Sequence, residues 1–183
     1  MSGDQPTIRF RELVVPHLQD ALVFARWLTG NRDDAEDVVQ EACLRAFASL
    51  GEGAILRPRA WLLAIVRNTA FTWMAKNRRK GLLALGDQDE MDRLAETREG
   101  DFPDAPALTP EAELIRKADA AAVQKAVGAL PAPLREVLVL REFNDLSYRE
   151  IADLLSVPIG TVMSRLSRAR LLLAASIAED YRG

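Results

Sequence analysis

The stretch DLSYREIADLLSVPIGTVMSRLSRARLLL, Asp145 to Leu173, most narrows what this chain can fold into. Ser147 and Glu150 make an S-x-x-E capping box, which satisfies free backbone donors at a helix start. Ile151, Leu154 and Leu155 give that helix one apolar side. Ser156, Val157 and Pro158 break it, because proline lacks a donor and disfavours helical geometry in the residue before it. Gly160 and Thr161 open a second helix. Its Val162, Leu166 and Ala169 point inward, while Ser164, Arg165, Ser167, Arg168 and Arg170 carry polar and basic groups outward. The pattern is a helix-turn-helix.

A basic helix braced by a shorter one fits the major groove of DNA. Two short helices joined by a proline turn also occur in many all-helical proteins, where a few arginines are only a solvated face. The segment alone fits both.

The net charge of −3 argues against a nucleic-acid binder. Its distribution along the chain argues the other way. Residues 1–80 hold 12 basic and 9 acidic side chains, residues 81–115 hold 2 and 10, and residues 116–183 hold 10 and 8. Two mildly basic lobes flank an acidic connector, and for DNA the local field counts more than the total. Cys43 is the lone cysteine and His17 the lone histidine, so an internal disulfide is impossible. The same scarcity argues against a zinc site, and no metal or cofactor is expected. No catalytic residue is assigned. The N-terminus lacks a basic-then-apolar signal pattern, and the apolar runs are too short for membrane insertion. A cytoplasmic protein is the expectation.

The connector, GLLALGDQDEMDRLAETREGDFPDAPALTP, mixes glycines, prolines and acids and reads as a flexible linker. Both flanks read as helical, so the expected fold class is all-α, two small domains. Residues 1–81 form the first, 82–110 the linker and 111–183 the second. In the first lobe a helix is expected from Phe10 to Thr29, with Leu13, Leu18, Leu22, Ala25 and Leu28 inward. Asp33, with Glu36 three residues on, is the expected cap of the next. That helix buries Ala35, Val38, Val39, Ala42, Ala46 and Leu50 at helical spacing. After the loop GEGAILRPR a third helix begins near Pro58. In the second lobe an alanine-rich helix starts at Pro110 and stops at Leu130-Pro131. Another, Leu134 to Phe143, leads into the helix-turn-helix.

Three blocks carry a family resemblance: DAEDVVQEACLRAF (Asp34–Phe47), RAWLLAIVRNTAFTWM (Arg59–Met74) and LPAPLREVLVLREFNDLSYREIADLLSVPIGTVMSRLSRAR (Leu130–Arg170). In order and spacing they resemble the extracytoplasmic-function (group 4) sigma factors of bacterial RNA polymerase, within the sigma-70 family. The resemblance implies region 2 in residues 1–81 and region 4 in residues 111–183. It further implies a non-enzymatic factor that binds core RNA polymerase, directs it to promoters and assists strand opening.

The residues give this reading physical sense. Asp37, Gln40, Glu41 and Leu44 stack on the outer side of their helix, a mixed surface suited to a partner helix. The resemblance assigns that face to the clamp helices of the polymerase largest subunit. In the third helix of the first lobe, Leu62, Val66, Thr69 and Trp73 follow core spacing. Trp61, Asn68, Phe71, Thr72, Arg78 and Arg79 offer the cations, amides and aromatics that unpaired bases need. The resemblance places minus-ten reading and base flipping there, with the loop Gly51 to Arg57 forming part of the pocket. For Trp61 and Phe71, core packing and base stacking both remain open.

On the recognition helix the resemblance puts minus-35 readout at Met163, Ser164, Ser167 and Arg168, with Thr161 and Arg165 nearer the DNA backbone. Met163 has no basic group, so it touches a thymine methyl or simply packs. Arg168 suits a bidentate grip on guanine. Tyr148 and Arg149 are expected to position phosphates. The resemblance also implies the polymerase flap and an anti-sigma factor as partners, and a connector threading the RNA exit channel. Two rival readings share the pattern. A sigma-like decoy should have lost Arg78, Arg79, Arg165 and Arg168, and a simple repressor leaves the first two blocks unexplained.

Overall fold

The computed structural model describes residues 5–51, 53–84 and 110–180, and every regular element among them is helical. Helix α1 (Gln5–Leu13) leads through a 3-10 turn (Val15–His17) into α2 (Leu18–Thr29), α3 (Arg32–Ser49) and the long α4 (Pro58–Ala84). The second lobe comprises α5 (Pro110–Ala129), α6 (Ala132–Glu142), α7 (Tyr148–Leu155) and α8 (Ile159–Asp180). Residues 85–109, most of the expected linker 82–110, lie outside the described residues.

The single helix expected from Phe10 to Thr29 is two helices. Pro16 cannot donate a backbone hydrogen bond and disfavours helical geometry before it. The chain closes a tight turn there, with the His17 N–H donating to Val14 O at 3.0 Å. After this break the buried side of α2 is Ala21, Phe24, Ala25 and Trp27. Leu18, Leu22 and Leu28, expected inward, are half-buried at its margin.

Gly30 ends α2 at φ 84°, a left-handed conformation that glycine adopts without a Cβ penalty. Helix α3 is capped by Asn31 rather than by Asp33. The Asn31 Oδ1 accepts the Asp34 N–H at 2.8 Å, leaving Asp33 and Asp34 in the first turn, where the helix dipole favours acids. Ala35, Val38, Val39, Ala42 and Ala46 are buried as the periodicity requires. Three alanines in that stripe let α3 lie close to α2 and α4. Leu50 falls just beyond the helix and is half-buried. From α4 come Leu62, Leu63, Val66, Thr69 and Ala70, with the buried Thr69 hydroxyl donating to Ile65 O at 2.7 Å.

In the second lobe, Leu134, Val137 and Leu138 of α6 meet Ile151 and Leu155 of α7 and Val162, Leu166 and Ala169 of α8. The lobes are not separate. Helix α2 packs on α6 and α4 packs on α7, so one buried core runs through both. Trp27 and Phe143 meet across this seam with their rings tilted by 53° and centroids 5.2 Å apart. Polar groups also cross it. The fully buried Asn144 donates through Nδ2 to Asp20 O at 3.1 Å, and Arg135 donates to Trp27 O at 3.3 Å. Arg67 grips Glu136 with both ends of its guanidinium, Nε to Oε1 at 2.9 Å and Nη2 to Oε2 at 3.3 Å.

Candidate nucleic-acid interface

The outer side of α3 keeps Asp37, Gln40, Glu41 and Leu44 at the surface, Leu44 with 68% exposure. Glu41 pairs with Arg45 one turn on at 2.9 Å, a surface bond of small energetic weight. Phe47 extends the apolar part of this face and stands edge-on to Phe10, with centroids 5.7 Å apart. Residue patterning alone does not single out Phe47. A leucine and a phenylalanine among acids and an amide form a mixed patch of the kind that binds a protein helix.

Helix α4 carries the candidates for unpaired bases. Asn68 and Thr72 are exposed on one side, with the Thr72 hydroxyl donating to Asn68 O at 2.9 Å. Asn68 faces solvent. Phe71 is 39% exposed, and the Arg67 guanidinium lies 4.7 Å above its ring. Trp61 is half-buried and packs against the core. Trp73, assigned to the core, is also half-buried. The backbone of Arg78 and Arg79 belongs to α4, but their side chains lie outside the described residues.

The loop before α4 is held from a distance. Arg9 of α1 donates through Nη1 to Gly51 O and through Nη2 to Gly53 O, the second bond 2.7 Å long. Residue patterning misses Arg9, since an arginine on a short helix gives no hint of a target 42 residues away. The end of the loop, Ile55, Leu56 and Arg57, lines a cleft of about 600 Å³ together with Trp61. Glu150, Asp153 and Leu154 of α7 form its opposite wall.

The helix-turn-helix follows its sequence closely. The Ser147 N–H donates to Glu150 Oε2 at 2.8 Å, and the Glu150 N–H returns a bond to Ser147 Oγ at 3.2 Å. These bonds to Ser147 hold the Glu150 carboxyl below its usual range. Ser156 ends α7 in left-handed geometry at φ 55°. Pro158 O then accepts the Thr161 and Val162 N–H groups at 2.9 and 3.3 Å, which starts α8.

With Val162, Leu166 and Ala169 buried, the opposite side of α8 presents Met163, Ser164, Ser167 and Arg168 to solvent. Thr161 and Arg165 sit half-buried at its edges. Met163 is 53% exposed and so does not pack inward. Arg149 is exposed, whereas Tyr148 is half-buried beneath Arg141, whose guanidinium lies 5.2 Å from the ring. Arg170, grouped with the outward cations, is tied to Glu142 of α6 at 2.6 Å, so its charge is committed within the lobe. The lone Cys43 is half-buried, and burial pushes its thiol up, opposite to the shift that activates a nucleophile.

Comparison with known proteins agrees with this geometry. Residues 13–80 match the family model for sigma-70 region 2, and residues 120–173 match that for sigma-70 region 4. The chain is 38% identical over 142 residues to the RNA polymerase sigma-H factor of Pseudomonas aeruginosa, covering 75% of this chain and 69% of that protein. It is 32% identical over 172 residues to the extracytoplasmic-function sigma-E factor of Escherichia coli K12, covering 92% and 85%. Among solved structures it resembles the sigma factor RpoE bound to the anti-sigma factor NepR from Bartonella quintana. That match has a TM-score of 0.70 at 28% identity and covers 92% of this chain and 96% of that one. CnrH in complex with the cytosolic domain of CnrY matches at a TM-score of 0.60 and 26% identity, covering 95% and 90%.

Proposed function

The chain belongs to the extracytoplasmic-function sigma factors of the sigma-70 family, which direct RNA polymerase to promoters, and from that premise we propose how its surfaces divide the work. The first lobe captures core polymerase through Asp37, Gln40, Glu41 and Leu44 on α3, set against the clamp helices of the largest subunit. The same lobe reads the minus-ten element with α4, where Asn68 and Thr72 meet base edges and Phe71 and Trp61 offer stacking surfaces. Arg78 and Arg79 supply cations for phosphates, and the lobe assists strand opening. The second lobe reads the minus-35 element with α8 and contacts the polymerase flap.

One observation carries this reading. The face of α8 opposite Val162, Leu166 and Ala169 bears a short series of uncovered polar groups ending in Arg168. Arg168 reaches a guanine edge in the major groove, Ser164 and Ser167 pair with neighbouring bases, and Met163 offers its thioether to a thymine methyl. Tyr148, Arg149, Thr161 and Arg165 hold the phosphates on either side. Neither lobe binds tightly alone, and their tether raises the effective concentration of each at its element.

Two known structures of similar proteins hold anti-sigma factors, which supports an anti-sigma partner for this chain as well. No helix among the described residues is long and apolar enough to cross a membrane, and we assign the protein to the cytoplasm, where core polymerase works. The test is transcription in vitro with purified core polymerase on a promoter library. Initiation at a defined subset sharing two elements is expected. A folded chain that directs initiation nowhere overturns the reading.

A further inference from the structure

No residue of α1 is buried, so this helix adds little to the core. Its C-terminal turn is nonetheless firmly seated. Phe10 stands edge-on to Phe47 of α3, and Val14, just past the helix, is fully buried. The Val14 N–H donates to Phe10 O at 2.9 Å, which carries that anchorage back into the last turn of α1. Arg9 sits beside Phe10 on this turn and is itself half-buried. Its guanidinium reaches across to Gly51 O and Gly53 O, in the loop that leads into α4.

That loop has little to shape it from within. A Cβ placed on Gly51 or Gly53 would meet nothing within 4 Å, so neighbouring atoms do not confine the backbone there. Glycine loses more conformational freedom on ordering than any other residue. A planar guanidinium bonded to two carbonyls two residues apart removes such freedom, because its rigid fork fixes both oxygens at once.

Farther along, the same loop forms a wall. Ile55, Leu56 and Arg57 line a cleft with Trp61 of α4, and Leu56 is 90% exposed. The Trp61 N–H donates to Arg57 O at 3.0 Å, so the end of the loop and the first turn of α4 are joined. Apolar side chains beside an indole suit the flat face of an unpaired base.

We propose that Arg9 is a positioning residue for minus-ten recognition: by pinning Gly51 O and Gly53 O it orders the loop in advance, so that an extruded base meets a formed wall. This role rests on the assignment of α4 to the minus-ten element and adds to it a side chain that itself touches no DNA. Extruding a base is already costly. A loop ordered only when the base arrives adds backbone ordering to that cost, whereas a loop ordered beforehand leaves the contact free to discriminate. A base that does not use the wall gains nothing from its order. Loss of Arg9 should therefore erode the preference among bases at one position, not the general attraction to DNA.

The experiment uses the full chain with core polymerase and a randomised pool of single-stranded DNA. The bound fraction is sequenced, and enrichment is counted relative to core polymerase alone. The unaltered chain, Arg9→Ala and Arg9→Lys are compared. The unaltered complex is expected to enrich one base strongly at a minus-ten position. With Arg9→Ala that enrichment should fall about 5- to 30-fold, the factor for ordering one backbone residue at capture instead of before it. Capture of core polymerase and enrichment at neighbouring positions should change little. Arg9→Lys keeps the charge but lacks the fork that holds two carbonyls, so it should behave as Arg9→Ala does. Recovery by Arg9→Lys overturns the proposal, since charge alone would then suffice. Equal weakening for all four bases overturns it too, because a merely structural brace acts in that way. Enrichment retained in both variants removes the role of Arg9 alone, whereas an unaltered complex that enriches no base overturns the reading of α4 together with it.

Discussion

Ser147 and Glu150 exchange hydrogen bonds across the first turn of α7, each side chain accepting from the other's backbone N–H, at 2.8 and 3.2 Å. The exchange fixes where the supporting helix of the DNA-reading unit begins. Ser147→Ala removes one half of it, and a loss of about 1 kcal/mol in unfolding free energy is expected. Denaturant titration followed by circular dichroism checks this. An unchanged midpoint would mean the cap contributes nothing.

The same pair makes the unit sensitive to acid. Glu150 has a folded-state pKa lowered from 4.5, chiefly by the Ser147 bonds. A depressed carboxylate contributes stability that is fully present above its unfolded value and disappears as pH falls through its folded value. Stability contributed by this group should therefore decline below about pH 4.5 in the intact chain, and Glu150→Gln should flatten that part of the profile. Thermal melts from pH 3 to 7 provide the measurement, and parallel profiles for both chains would refute it.

Arg168→Ala should weaken discrimination at one minus-35 base pair by about 1–3 kcal/mol while leaving core-polymerase binding intact. Competition among promoters varied at each position reads this directly. Uniform weakening at every position would reassign Arg168 to phosphate contact.

Leu44 and Gln40 lie on the uncovered side of α3, away from its buried alanine and valine stripe. Replacing both by alanine should reduce capture of core polymerase at least about tenfold, a loss typical of central interface side chains. Helix content and melting temperature should stay unchanged. Undiminished retention of core enzyme on the immobilised double variant would remove α3 from the interface.

Arg9 acts on the loop before α4 through two backbone carbonyls, Gly51 O and Gly53 O. These bonds are exposed, so Arg9→Ala should cost only about 1 kcal/mol of stability. Its larger effect should be faster amide hydrogen exchange in residues 53–57, with α3 unaffected. Equal exchange in the two chains would show the loop is ordered without Arg9.

Local features of the fold are legible in the sequence, and distant ones are not. The capping box, the Ser156–Pro158 break and the stripe Val162, Leu166, Ala169 all rest on interactions between near neighbours along the chain, and the structure contains each of them. Pro16 also carries its signal, but a continuous apolar pattern across it outweighs the proline and merges two helices. Asn31 is easily passed over because Asp33 offers the more familiar spacing to Glu36. The seam has no local signature. Arg67 and Glu136 are 69 residues apart, and charge alone does not say which of many opposite pairs will meet. One clue is present: Glu136 interrupts the apolar run of α6, and a carboxylate among Leu134, Val137 and Leu138 needs a cation from elsewhere.

The ion pair between Arg57 and Asp153 is open to solvent on both sides, unlike its counterpart at Glu136. Added electrolyte therefore loosens that end of the molecule, just as it weakens attraction to DNA phosphates. Cohesion at that edge should therefore fall as ionic strength rises, and Asp153→Asn should remove that part of the dependence.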